Sequence, residues 1–202
     1  MIKLILRATF LAAMLMAVTV VANADPTYFT TGCFGPACAP IAVSTMAVGP
    51  GFLQYTGQAI NALNVPPGGF TSAQLGAFTW LGAPFGAVAP TPFTLQITQT
   101  IPGPGNQSFS AAVSGTVASG ISTFNVVFTV TSVTINGFTY TLSNLGGPGT
   151  ISPNALLINP PGQVTSVQSV VTAPVPEPAS MLLLGTGLLG AAGVVRRRFK
   201  RN

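Results

Sequence analysis

The chain has 202 residues, but only 4% of them are charged: seven Lys or Arg, two Asp or Glu, and no His. All seven cations lie in the first seven or the last seven residues, and no Lys, Arg, Asp, Glu or His lies between Pro26 and Pro176. Phosphate groups are neutralised by Lys and Arg, so this composition excludes nucleic acid as a partner of the interior segment.

The same segment lacks the usual groups of acid–base catalysis, because only three Tyr and two Cys can titrate there. A Ser nucleophile would have no general base to activate it. A zinc ion would have at most two thiolate ligands, and a calcium ion would have no interior carboxylate ligand. The run Gly185-Thr186-Gly187-Leu188-Leu189-Gly190 matches a dinucleotide-binding pattern but lacks its βαβ context. We therefore predict no enzymatic activity, no catalytic residue, no metal site and no cofactor.

Residues 1–24 have the layout of a secretory signal peptide. Lys3 and Arg7 form a positive start, and an apolar run follows over residues 10–21. Ala22 and Ala24 are small residues at the two positions that a signal peptidase recognises. We therefore predict cleavage after Ala24, which makes Asp25 the mature N-terminus. The alternative is an uncleaved N-terminal anchor.

Cys33 and Cys38 flank a short segment that contains a Gly-Pro pair. Outside the cytoplasm an even pair of nearby cysteines favours a local disulfide, and the spacing differs from the C-x-x-C of redox enzymes. The alternative is a pair of free thiols.

Apolar and polar residues alternate in several short segments, as half-buried antiparallel strands require. The clearest segments are residues 93–98, 109–117 and 124–130, and weaker ones are 41–48, 52–60, 77–81, 151–158 and 164–171. Residues 64–69 predict a loop, and residues 71–74 suggest one helical turn.

Asn136-Gly137 predicts a two-residue type I′ turn between two strands, because both residues tolerate positive φ. This turn gives the hairpin one apolar and one hydroxyl-rich face, so its register is well specified. The predicted pairs are Ile135 with Phe138, Val133 with Tyr140, Thr134 with Thr139 and Ser132 with Thr141.

Eight to ten short strands within residues 25–171 predict a single all-β antiparallel sandwich, with a jelly roll as the nearest variant. Residues 172–178 are rich in proline and predict a stiff, extended linker. The large core candidates are Phe34, Phe52, Phe70, Phe78, Phe93, Phe109, Phe124 and Phe128.

The C-terminus has three features in order: Pro176-Glu177-Pro178, an uncharged run over residues 179–195, and a basic tail over residues 196–202. As a helix the run would span roughly 25 Å, somewhat short of a hydrocarbon core of about 30 Å. The basic side chains could snorkel into the interface and mark its cytoplasmic side, so we predict a transmembrane helix. The alternative is a buried helix of a soluble domain. The basic residues are Arg196, Arg197, Arg198, Lys200 and Arg201.

This order of motif, span and basic cluster resembles the PEP-CTERM sorting signal of Gram-negative bacteria. The resemblance implies processing by a membrane-embedded exosortase near Pro176-Glu177-Pro178. It also implies a link to exopolysaccharide-producing envelopes. The protein would then cross the inner membrane, be anchored transiently, and reach the cell surface or extracellular matrix.

Two roles fit such an exported domain. One is a structural or adhesive component that contacts exopolysaccharide or further copies of itself, since sheet edges with few charges are poorly protected against association. The other is a carbohydrate-binding module that uses exposed aromatic residues such as Trp80. The alternative for Trp80 is that it is a core residue.

Overall fold

A computed structural model of the chain describes residues 25–83, 86–118, 121–148, 150–174 and 185–187. Thirteen β-strands lie within these ranges. They are β1 (Thr27–Phe34), β2 (Val43–Val48), β3 (Gly51–Gly57), β4 (Asn61–Ala62), β5 (Phe70–Leu81), β6 (Gly86–Ile101), β7 (Gly105–Ala118), β8 (Ile121–Ser122), β9 (Asn125–Phe128), β10 (Ser132–Ile135), β11 (Phe138–Leu142), β12 (Ala155–Leu157) and β13 (Val164–Thr172).

The strands form two curled antiparallel sheets. Sheet 1 has the order β12-β9-β7-β6-β1-β4, with β8 paired to β7. Sheet 2 has the order β10-β11-β13-β5-β3-β2. The prediction of an all-β antiparallel fold is confirmed.

Side chains from both sheets meet in one core. Phe93 of sheet 1 lies 5.1 Å, between ring centroids, from both Tyr55 and Phe78 of sheet 2. The period of two explains why: in β6, buried Phe93, Leu95 and Ile97 alternate with half-buried polar residues.

The hairpin of β10 and β11 has the predicted register in all four residue pairs. Asn136 and Gly137 form its turn with φ of 49° and 85°. On the outer side, the hydroxyl oxygens of Thr134 and Thr139 are 2.9 Å apart. Turn chemistry and side-chain pattern therefore agree along this hairpin.

Some details of the prediction are wrong, including the number of strands, which is thirteen among the described residues rather than eight to ten. Residues 71–74 form no helical turn but belong to β5, where Ala73 and Leu75 point into the core. Phe52 and Phe70 are not core residues, since they are 49% and 72% exposed. Phe52 follows inward-facing Gly51, so the strand period turns its ring outward.

The folded domain continues further than its predicted end at residue 171. Thr172 belongs to β13 and pairs with Thr139 and Phe70. Ala173 is buried, and its backbone N–H donates to the Gly69 carbonyl over 3.1 Å. Thr172 and Ala173, which the prediction assigned to the linker, are therefore part of the folded domain.

The predicted signal peptide and nearly all of the predicted transmembrane segment lie outside the described residues. Residues 185–187 alone are described in the C-terminal segment, and they are helical. Within the described ranges, no helix has both the length and the hydropathy needed to span a bilayer.

Candidate sorting site

Pro174, the last described residue of the β domain, lies beside the turn of the β10–β11 hairpin. A Cβ placed on Gly137 would be 3.3 Å from Cγ of Pro174. The same turn is held by Asn136, whose Nδ2 donates to the Gly103 carbonyl over 2.7 Å. The point where the chain leaves the sheet is therefore set by β13 and this turn.

Of the residues predicted for export and sorting, Asp25 alone is described. Asp25 is exposed, and its Oδ1 accepts a hydrogen bond from the Val65 backbone N–H over 3.1 Å. The next residue, Pro26, is already buried. The remaining residues lie outside the described ranges: Ala22, Ala24, Pro176, Glu177, Pro178, Arg196, Arg197, Arg198, Lys200 and Arg201.

Cys33 and Cys38 form a disulfide, as the sequence predicts. The loop they close is also tied to its neighbours through the backbone. The Gly35 N–H donates to the Pro92 carbonyl over 2.8 Å, and Gly32 exchanges two hydrogen bonds with Ile41. The disulfide thus supports the end of β1, where the chain turns toward sheet 2.

Of the two places that the sequence left open for Trp80, an exposed platform or the core, the structure shows the core. The Trp80 side chain is 5% exposed, and Nε1 donates to the Asn159 carbonyl over 3.0 Å. The indole also meets Phe124 edge to face, with ring centroids 5.1 Å apart. Trp80 is therefore a core residue whose polar atom is satisfied.

The three tyrosines are likewise buried, and each hydroxyl donates to an internal acceptor. Tyr28 donates to the Gln74 carbonyl over 2.7 Å, and Tyr140 donates to Oε1 of Gln99 over 3.1 Å. Tyr55 donates to the Leu75 carbonyl.

Burial raises the pKa of all three phenols, because it penalises the charged form. A hydrogen bond with Asn61 partly opposes the rise in the pKa of Tyr28. The nearby Tyr28 further raises the pKa of Tyr55 and Tyr140. These hydroxyls therefore stay protonated at neutral pH and act as structural donors.

Thr30 is one of several buried polar residues that sequence reasoning missed. Thr30 donates from Oγ1 to the Leu75 carbonyl over 2.6 Å and accepts from the Gln58 N–H over 2.7 Å. The sequence feature that could have predicted its burial is the period of two in Tyr28, Thr30 and Gly32, which places Thr30 on the inward face of β1. Because none of these three residues is aliphatic, the inward row does not stand out by hydrophobicity.

A model of the PEP-CTERM protein-sorting motif matches residues 174–198. The chain carries a PEP-CTERM sorting motif. The match begins at Pro174, where the described domain ends, and covers Pro176-Glu177-Pro178 and the first three arginines of the tail. The PEP-CTERM motif implies that the protein is exported, sorted to the cell surface and processed by an exosortase. No curated protein and no solved structure matches the chain.

Proposed function

We propose that the domain is a non-enzymatic structural or adhesive component of an exopolysaccharide-associated cell surface or matrix. A signal peptidase cuts after Ala24, residues 179–195 anchor the chain transiently, and an exosortase releases it near Pro176-Glu177-Pro178. The mature product is then the β domain with a short C-terminal extension.

The observation that carries this proposal is the uncharged outer face of sheet 2. Cross-strand rows on this face follow from the registers of β13, β5, β3 and β2. One row is Val164, Thr79, Gln54 and Thr45, and the next is Ser166, Ala77, Thr56 and Val43. Hydroxyl, amide and methyl groups thus alternate across four strands without a formal charge.

Such a face suits contact with a neutral polymer. Hydroxyl and amide groups both donate and accept hydrogen bonds, as sugar hydroxyls do. Asp25, the sole carboxylate between the predicted signal peptide and Pro176, lies at the N-terminal edge of the domain. Contact with a polysaccharide then needs no release of counterions and should depend little on salt.

Fractionation of the producing cells tests the proposed route and destination. The native protein is expected in the matrix or cell-surface fraction. A variant with Pro176→Ala, Glu177→Ala and Pro178→Ala should instead stay in the membrane fraction. Pro66→Ala with Pro67→Ala is the matched control, because these prolines are exposed and lie in a loop outside the motif. Equal release of the motif variant and the control would contradict the proposed sorting.

Carbohydrate binding stays a second candidate through Phe52 rather than Trp80. Phe52 is half exposed on the outer face, between Leu81 and Ala47 and one row from Gln54. An exposed ring beside an amide can stack on a sugar and hydrogen-bond to it. Polysaccharide pull-down with wild type, Phe52→Ala and the exposed control Phe70→Ala distinguishes the two candidates. Loss of binding in Phe52→Ala alone supports a specific site, and equal binding by all three chains excludes it.

The absence of catalysis is tested separately, with the wild-type protein and polysaccharide or ester substrates. Reproducible turnover by the purified protein would overturn the non-enzymatic proposal. No turnover, together with retention in the matrix fraction, is the expected result.

A further inference from the structure

Strand β2 forms one edge of sheet 2, and its ladder with β3 is regular. All six residues of β2, from Val43 to Val48, pair with β3 without a register shift. Among the described residues, β2 has no strand partner on its other side.

The hydrogen-bond pattern shows which backbone groups face this open side. The Ala42 carbonyl accepts from the Gly57 N–H over 2.7 Å, which assigns Ala42 to the bonded pairs facing β3. Ile41 faces the other way, because its N–H and carbonyl exchange bonds of 3.0 and 2.9 Å with Gly32. Antiparallel bonding alternates by residue, so Val43, Thr45 and Ala47 direct three N–H and three carbonyl groups toward the open side.

The other outermost strands among the described residues are shorter. Strand β10 at the opposite edge of sheet 2 has four residues, and the edge strands of sheet 1, β12 and β4, have three and two. Short strands, charged side chains, proline and bulges are the usual protections of an edge. Strand β2 has none of them, and its first residue, Val43, is 46% exposed.

We propose that two copies of the protein associate by antiparallel pairing of their β2 strands. The open residues are symmetric about Thr45, so a two-fold axis there places Thr45 opposite Thr45 of the second copy. Val43 then lies opposite Ala47, and each open backbone group finds a partner. The interface is isologous, with the same patch used on both copies.

The chemistry of the strand favours a second copy as its partner. The facing side chains are Val, Thr and Ala, which are small, uncharged and compatible with each other across strands. No like charges oppose each other when the patch meets itself. The two copies of sheet 2 would form one continuous sheet of twelve strands, and their uncharged outer faces would become contiguous.

Cross-linking in the full chain tests this pairing. The two native cysteines are joined in a disulfide, so Thr45→Cys introduces a single free thiol. Cα atoms of a hydrogen-bonded antiparallel pair lie about 5.5 Å apart, within reach of a disulfide or a short bis-maleimide. Gln54→Cys is the matched control, because residue 54 lies opposite Thr45 on β3, on the same face but one strand inside the edge.

We expect Thr45→Cys to give at least about tenfold more covalent dimer than Gln54→Cys on non-reducing gels, since only residue 45 sits on the axis. Dominant cross-linking of Gln54→Cys would instead indicate face-to-face packing and overturn the proposal. Equal yields would also overturn it, because they would show random or tail-driven association.

A second variant tests whether the cross-link depends on backbone pairing. Ala47→Pro in the Thr45→Cys background removes one outward N–H but leaves the β2–β3 ladder intact, since proline is tolerated where an edge N–H faces solvent. Covalent dimer should fall about tenfold while the circular dichroism spectrum stays unchanged. Undiminished dimer in this variant would contradict backbone pairing. The outcome is independent of sorting, so it is distinguishable from failure of the proposed release.

Discussion

The β10–β11 hairpin and the polar cluster around Leu75 are built from the same kinds of residue but are specified differently. In the hairpin, Thr134 contacts Thr139, five residues away, across an Asn-Gly turn. In the cluster, Thr30 and Tyr55 both donate to the Leu75 carbonyl, across 45 and 20 residues.

Hydroxyl groups differ in importance between these two regions. The hairpin hydroxyls are largely exposed and can exchange their partner for water. The cluster hydroxyls are buried, so loss of one leaves a carbonyl or N–H without water to replace it. Stability should therefore depend much more on the cluster than on the hairpin surface.

The largest effect is expected at Gly57, where β3 passes the cluster. A Cβ at this position would overlap the Thr30 carbonyl oxygen, which is backbone and cannot swing away. Gly57→Ala should therefore prevent stable folding of the domain. Urea denaturation followed by fluorescence of Trp80, the single tryptophan, measures this.

Gly147→Ala is the matched control for this substitution. A Cβ placed on Gly147 would have no atom within 4 Å, and the φ of this residue is not positive. The control should unfold at the same urea concentration as wild type. A Gly57→Ala protein as stable as this control would show that the backbone around Thr30 yields easily to an added methyl group.

The second effect concerns pH and the buried tyrosines. Burial raises the pKa of Tyr28, Tyr55 and Tyr140, so the folded state holds these protons more tightly than the unfolded state. Their contribution to stability is complete below the unfolded pKa of about 10 and is lost as pH rises above it. Denaturation curves from pH 6 to 12 should show little change up to about pH 9 and a steep loss beyond about pH 10. A flat profile to pH 12 would contradict the burial of the phenols.

The third effect compares one substitution in the two regions. Thr30→Val keeps the β-branched shape but leaves the Gln58 N–H without its acceptor, and should cost about 1–3 kcal/mol in the free energy of unfolding. Thr134→Val removes an exposed hydroxyl from the hairpin and should change stability by less than about 0.5 kcal/mol. Urea denaturation of both variants measures the difference, and equal costs at the two positions would mean that burial does not set the importance of these hydroxyls.

The fourth effect concerns the turn of the hairpin. Gly137 has φ of 85°, which an L-residue with a Cβ adopts at a cost of about 1–2 kcal/mol. Gly137→Ala should therefore destabilise the domain by about that amount. An unchanged urea midpoint would mean that this turn relaxes to another geometry.

Sequence reasoning succeeded where the determining interactions are close together in the chain. The Asn136-Gly137 turn fixes its own register, and the sorting motif is a contiguous run at the C-terminus. The disulfide of Cys33 and Cys38 also closes within five residues.

It left burial undecided or misjudged it where burial depends on distant partners. Nothing near Trp80 in the sequence shows that Asn159 will accept its N–H or that Phe124 will pack against it. The inward place of Thr30 likewise depends on Leu75 and Gln58, which come from other strands or loops. The exposed positions of Phe52 and Phe70 follow from strand phase, which hydrophobicity alone does not give.

We propose that the chain reaches the cell surface as a nearly uncharged β domain whose terminal targeting segments have been removed. Intact-mass measurement of the protein recovered from the cell surface, with sequencing of both ends, tests it most directly. We predict an N-terminus at Asp25 and a C-terminus close to Glu177, without the basic tail. A surface protein that still ends at Asn202 would contradict the claim.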